Sequence, residues 1–362
     1  MAKNENLARL EANGVSVWLD SLSRDLMGSG KLQSLIEEDG VSGVTTNPNI
    51  FYKAKHGSSL YDGEIKSGGR SASDVLYSLM EKDVRSACDI FRPVAEKSQW
   101  VNGRVSLEID PNIADDSEAM IAAAQKVWEA IERKNAMIKI PSTPAGFEAA
   151  RFCIGHGISV NMTLLFSLPH YQAAINAFLN GAEDALRSDV DLRSLGSVAS
   201  IFVSRIDTKV DALLDKIGTQ EALALKGKGA IANATLAYGL SEQIFSSDPR
   251  WADLEMAGVK PQRLLWASTS VKNPDYPDCM YVDSLVAPKT VNTMPLSTLE
   301  AEAEHGKGEP SEFDFDESRR VIESLAALGI DIEKVSEELQ KEGISQFKDS
   351  WNALTSEIEK KM

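Results

Sequence analysis

The chain is poor in what several protein classes need. Its three cysteines, Cys88, Cys153 and Cys279, stand far apart among 362 residues and form no CxxC pair. Such a count supplies neither a disulfide framework nor a zinc motif, and it suits a reducing compartment. The four histidines, His56, His156, His170 and His305, show no metal-ligand spacing, so each reads as a surface or loop residue and no metal is expected. No run of 18 apolar residues occurs, and "MAKNENLARLEANG" lacks an apolar signal core. A cytoplasmic protein without a membrane span is therefore expected. Positive charge is short as well: 38 Lys and Arg face 54 Asp and Glu, a net charge of −16. That balance argues against nucleic-acid and anionic-membrane binding, which need basic surfaces, but a phosphate needs only a few local cations. Finally, "GSGKLQ" and "GHGISV" both lack the third glycine of a dinucleotide fingerprint, and neither GxxxxGK[ST] nor GxSxG is present.

What is present is alternation. Short apolar runs recur at 15–20 (VSVWLD), 41–48 (VSGVTTNP), 104–111 (RVSLEIDP), 136–141 (AMIKIP), 158–167 (ISVNMTLLFS), 197–205 (SVASIFVSR), 263–270 (RLLWASTS) and 280–288 (MYVDSLVAP). Each is brief and bounded by polar, Pro or Gly residues, as strands buried on both faces are. Helical patterns lie between them, for instance the stretch opening with Ser71 and Asp74 at capping-box spacing and continuing through Val75, Leu76, Leu79, Val84, Ala87 and Phe91. Eight strands alternating with helices over roughly 270 residues match a (β/α)8 TIM barrel, an α/β fold of about 250 residues.

The tail breaks the alternation. Residues 300–317 carry eight acids and one lysine, which reads as a solvated linker or acidic loop. Amphipathic helices follow to the C-terminus. The expected organisation is a catalytic barrel over 1–296, with 297–362 an acidic segment and helices packed on the barrel, not an independent domain.

In a barrel, chemistry gathers where strands end. Asp20 closes the first run, Asn47 the second, and Glu108 lies late in the third; Lys139 belongs to the fourth, Asn161 and Thr163 to the fifth. Ser200 and Arg205 mark the sixth, Ser268 and Lys272 the seventh. Singly these have ordinary explanations: Asp20 as a helix cap, Asn47 before Pro48 as turn chemistry, Glu108 and Arg205 as solvated charges. Jointly, polar groups at the ends of seven strands point to a site. Lys139 stands out, because a buried ammonium is costly unless paired or neutralised. It is either a Schiff-base nucleophile or an ion pair with Glu108 or Asp20.

The segments "WLDSLSR", "GVTTNPNIF", "VSLEIDP", "MIKIPST", "ISVNMTLLFS", "SIFVSRID", "WASTSVKNPDY" and "KTVNTMP" resemble the transaldolases, Schiff-base enzymes of the pentose phosphate pathway. The resemblance spans residues 15 to about 296. It implies that Lys139 forms the imine with a ketose phosphate and that Asp20 is the base on the C4 hydroxyl. Glu108 would move protons through a water held with Thr163. Asn47, Asn161 and Ser200 would hold the dihydroxyacetone unit, and Arg205 and Ser268 the phosphate. One departure is Ser270, where many relatives carry a second arginine; Lys272, or Lys289 as a rival, would supply that charge. The resemblance implies sugar phosphates as partners, no cofactor, and a monomer or homodimer. A lyase using the same lysine, and a non-catalytic phosphosugar-binding barrel, are the alternatives.

Overall fold

A computed structural model describes residues 3–55, 58–68 and 71–362; His56 lies outside them. Eight strands close into a barrel in sequence order: β1 (Val15–Leu19), β2 (Gly43–Val44), β3 (Arg104–Glu108), β4 (Ala136–Pro141), β5 (Val160–Leu165), β6 (Ser197–Phe202), β7 (Arg263–Ala267) and β8 (Thr290–Met294). All neighbours pair in parallel, and β1 closes on β8 from Val15↔Thr290 to Leu19↔Met294. The TIM barrel read from the alternation is the fold.

Helices occupy the connections, as parallel pairing requires. The expected cap at Ser71 is present: its hydroxyl accepts the Asp74 N–H at the head of the helix Ala72–Lys97. β2 is only two residues long, and its Gly43 lies against Trp18, where a Cβ would stand 2.6 Å from the indole. Past it the pairing continues partly by side chains, with Thr46 Oγ1 donating to Ser106 O at 2.8 Å.

The eighth strand is not where the apolar run put it. Residues 280–288 form a helical turn, Met280–Asp283, and a loop. Their buried members, Tyr281 with Leu285 and Val282 with Val286, are spaced four apart, which is helical periodicity. The strand is Thr290–Met294, fully buried despite three polar residues. Its polar groups are satisfied within the barrel: Thr290 donates to Ala287 O, Thr293 shares a hydrogen bond with Thr45, and Asn292 accepts one from Thr269.

After β8 the chain forms the helix Leu296–His305, so the acidic stretch 300–317 is helical in its first part. Beyond it, Phe315–Ala327 packs on the helix Gly229–Ser247, and the 30-residue helix Ile332–Lys361 crosses the C-terminal end of the barrel. There Ser336 donates to Phe166 O at 3.0 Å and Gln340 Nε2 to Ser142 O at 2.8 Å. Trp351, 1% exposed, sets its ring edge-on to Tyr77 at 5.2 Å. Trp351→Ala is expected to cost about 3–5 kcal/mol through the cavity it leaves, read as a lower midpoint of chemical unfolding. An unchanged midpoint would mean that the long helix unfolds apart from the barrel.

Candidate active site

Parallel register sets the first part of the site. Glu108 on β3 pairs with Lys139 on β4, and Lys139 with Asn161 on β5, so the three stand side by side. Lys139 is 4% exposed. Its Nζ donates to Thr46 O at 3.1 Å, lies 3.2 Å from Glu108 Oε2, and stands 5.7 Å from the centre of the Phe347 ring. The ion pair considered from the sequence is therefore real on the Glu108 side. Glu108 itself is buried, not a solvated surface acid.

Asp20 follows β1 and takes a 2.6 Å hydrogen bond from Thr45 Oγ1. It caps no helix; Ser23 caps the helix Arg24–Gly28. Burial pushes the Asp20 carboxyl above its ordinary range, against the pull of Lys139, the Thr45 hydrogen bond and Lys272. Burial also pushes Glu108 up to about 7; Lys139 opposes this and Asp20 adds to it. Two carboxyls with raised affinity for a proton thus share the field of one amine.

Around them runs a polar chain. Ser200 donates to Asn161 Oδ1 at 2.7 Å, and Asn161 Nδ2 donates to Ser106 Oγ at 3.1 Å. The Thr163 hydroxyl is buried and makes no hydrogen bond among the described residues. Asn47 does two things: it accepts the Ile50 N–H at the start of the helix Pro48–Lys55 and it borders the central cavity.

That cavity, about 540 Å³, opens at the C-terminal mouth. Asp20, Asn47, Lys139, Thr163, Ser200, Arg205, Ser268 and Lys272 all line it, while Glu108 and Asn161 sit behind that lining. Arg205 opens the helix Ser204–Ile217, and its guanidinium rests 5.3 Å from the Phe202 ring centre. Ser268 takes a left-handed φ of 56° just past β7, and its hydroxyl meets that of Ser204 at 3.0 Å. Lys272 reaches Ser270 Oγ at 2.5 Å from the rim. Lys289 is elsewhere: it precedes β8 and lines a cavity at the opposite end of the barrel. It is no rival for a phosphate at the mouth.

Several residues of the site had no sequence signal. Phe347 comes from the long tail helix and forms part of the cavity wall beside Lys139; its helical spacing said only that it packs. Thr45 and Lys53 also line the cavity. Thr45 lies within the quoted "GVTTNPNIF", where only Asn47 was singled out.

Comparison with known proteins agrees with this geometry. A family model described as "Transaldolase/Fructose-6-phosphate aldolase" matches residues 17–358. A protein of Frankia alni named transaldolase is 48% identical over 97% of this chain and 96% of its own length. Transaldolases of Mycolicibacterium paratuberculosis and Mycobacterium tuberculosis are each 46% identical, over 100% and 98% of this chain and 98% and 97% of their own lengths. Since the match runs from β1 into the last turns of the tail helix, covering barrel and tail alike, the chain belongs to the transaldolase/fructose-6-phosphate aldolase family of enzymes.

Proposed function

We propose that this transferase moves a dihydroxyacetone unit from sedoheptulose 7-phosphate to glyceraldehyde 3-phosphate, through a Schiff base on Lys139, giving erythrose 4-phosphate and fructose 6-phosphate. The observation that carries the reading is one buried amine at the barrel mouth, 3.2 Å from the Glu108 carboxylate and lining the same cavity as Asp20.

The steps follow from the groups. Glu108 takes a proton from the Lys139 ammonium, and the free amine adds to the ketose C2 carbonyl. Protonated Glu108 then gives its proton to the departing hydroxyl, so water leaves and the iminium forms. Asp20 accepts the C4 hydroxyl proton while the C3–C4 bond breaks, and the bonding pair moves into the iminium as an enamine. Erythrose 4-phosphate departs. The enamine adds to the incoming aldehyde, Asp20 returns its proton to the new alkoxide, and hydrolysis of the imine frees fructose 6-phosphate and the lysine.

The buried Thr163 hydroxyl, which has no hydrogen-bond partner among the described residues, holds a water that relays protons to Glu108 in this reading. Asn47, Asn161 and Ser200 bind the hydroxyls of the three-carbon unit. Arg205 offers the phosphate a planar fork, and Lys272 with Ser268 adds charge and a hydroxyl from the next strand end. Phe347 covers the amine and shields the enamine from water, which favours transfer over release.

The pH profile tests Glu108. Its carboxylate form takes the first proton, so kcat/KM is expected to fall as pH drops through about 7. Glu108→Gln is expected to remove that acid limb and to lower kcat/KM by about 10²–10⁴-fold. Steady-state rates across pH 5–9 check both, and a limb that survives in the variant assigns the titration to another group.

Borohydride reduction with fructose 6-phosphate, followed by peptide mass mapping, tests the covalent step. A reduced three-carbon adduct is expected on the peptide containing Lys139. No adduct on folded protein that binds the sugar phosphate returns Lys139 to a structural ion pair. Incubation with ketose phosphate and no acceptor separates transfer from cleavage, since steady release of dihydroxyacetone marks a lyase.

A further inference from the structure

Away from the barrel mouth, tertiary folding gathers residues that the sequence keeps apart. Asp278 and Cys279 precede the helical turn Met280–Asp283, in the connection between β7 and β8; His305 ends the helix that follows β8. One ligand atom from each of the three lies within 4.8 Å of the others, and His305 Nε2 meets Asp278 Oδ1 at 2.9 Å. The thiol is buried, and the carboxylate and imidazole are at the surface.

A fourth group gives the cluster its meaning. Glu302, one turn before His305, is 0% exposed, and among the described residues neither carboxylate oxygen has a hydrogen-bond partner. The Cys279 thiol lies beside that carboxylate without reaching full hydrogen-bond geometry. Among the described residues no Lys or Arg forms an ion pair with it. His305 and then Arg9 are the cations that act on it from a distance, and the Nε and Nη2 groups of Arg9 donate to Lys307 O, Asn6 Oδ1 and Gly306 O. Asp283 adds a further negative charge, and its Oδ1 already takes the backbone N–H groups of Lys307 and Gly308. Glycine at 306 leaves room for the carboxylate: its backbone is ordinary extended chain, but a Cβ there would overlap the Glu302 carboxyl group. A carboxylate so placed is costly unless a proton or a cation meets it.

We infer that Asp278, Cys279 and His305 form a site for a zinc-class divalent cation, with the buried Glu302 carboxylate beside the thiol adding negative charge behind it, and that the ion clips the connection before β8 to the helix after it. The donor set of one sulfur, one imidazole nitrogen and a carboxylate oxygen suits a borderline-soft ion and not magnesium or calcium. Ligand atoms around tetrahedral zinc stand roughly 3.3–3.8 Å apart, given bonds of about 2.0–2.3 Å. The present spread closes by rotation of Asp278 and His305, both free to move at the surface. On binding, the thiol proton, and any proton on Glu302, leave to solvent. Neither Cys88 nor Cys153 can join, since each is buried and belongs to a different helix.

Cobalt(II) is the probe, because thiolate ligation gives a charge-transfer band that no oxygen–nitrogen site produces. Chelator-treated full-length protein, titrated with cobalt(II) at pH 7.5, is expected to develop that band at one equivalent and to lose it on adding zinc(II). Zinc(II) is also expected to raise the unfolding temperature by several degrees. Cys279→Ser abolishes the band, and His305→Ala, a change at an exposed residue, weakens binding at least tenfold; both retain transferase activity. The inference is overturned if the folded chain gives no band, if the band persists in Cys279→Ser, or if His305→Ala binds as tightly as the native protein. Glu302 then simply holds a proton.

Discussion

Lys139→Met is expected to lower transferase turnover by more than about 10⁴-fold, because it removes the amine that attacks the ketose carbonyl. The variant is expected to fold. Glu108, which Lys139 now holds down to about 7, then moves further up and meets the loss of its cation by staying neutral. The sign of the pH effect follows. A carboxyl whose folded pKa lies above its unfolded value makes the protein lose stability as pH rises between the two. In the native chain that loss runs from about 4.5 to about 7; in the variant it continues above 7. Turnover together with thermal unfolding at pH 6 and pH 8 checks this. Substantial turnover by a folded variant would end the Schiff-base reading and bring forward the binding-protein alternative.

Asp20→Asn is expected to separate imine formation from bond cleavage. Asparagine keeps the shape and can still accept the Thr45 hydrogen bond, but it cannot take the C4 hydroxyl proton. We expect kcat to fall by about 10²–10⁴-fold, with the borohydride adduct of the intact ketose still forming on Lys139. The two variants thus differ qualitatively: one cannot be labelled, the other is labelled with the uncleaved sugar. If Asp20→Asn cleaves at the native rate, the base is another group, and Glu108 is the next to test.

Much of this site was legible in the chain because strand-end chemistry is local. Lys139 announces itself as a charge inside an apolar run, and "TTNP" and "VSLEIDP" place Asn47 and Glu108 at the ends of short strands. Parallel pairing in sequence order then puts Glu108, Lys139 and Asn161 in one row. Where the reading failed, it failed on polar strands. Thr290–Met294 is buried through hydrogen bonds to Ala287, Thr45 and Thr269. Hydropathy registers no hydrogen-bond partner, least of all Thr45, 248 positions from Thr293.

The sequence by itself determined the barrel, through the period of its apolar runs, and the residue types at seven strand ends, through their interruption of those runs. Only the tertiary structure decided which groups touch. It chose Glu108 as the ion-pair partner of Lys139 and placed Lys289 at the wrong end of the barrel for a role at the mouth. It brought Phe347 over the amine from more than 200 positions along the chain, and Cys279 beside Glu302 and His305. The physical reason is the same in each case. Periodicity encodes which face of an element is buried, whereas a contact between elements depends on how closed packing brings distant residues together.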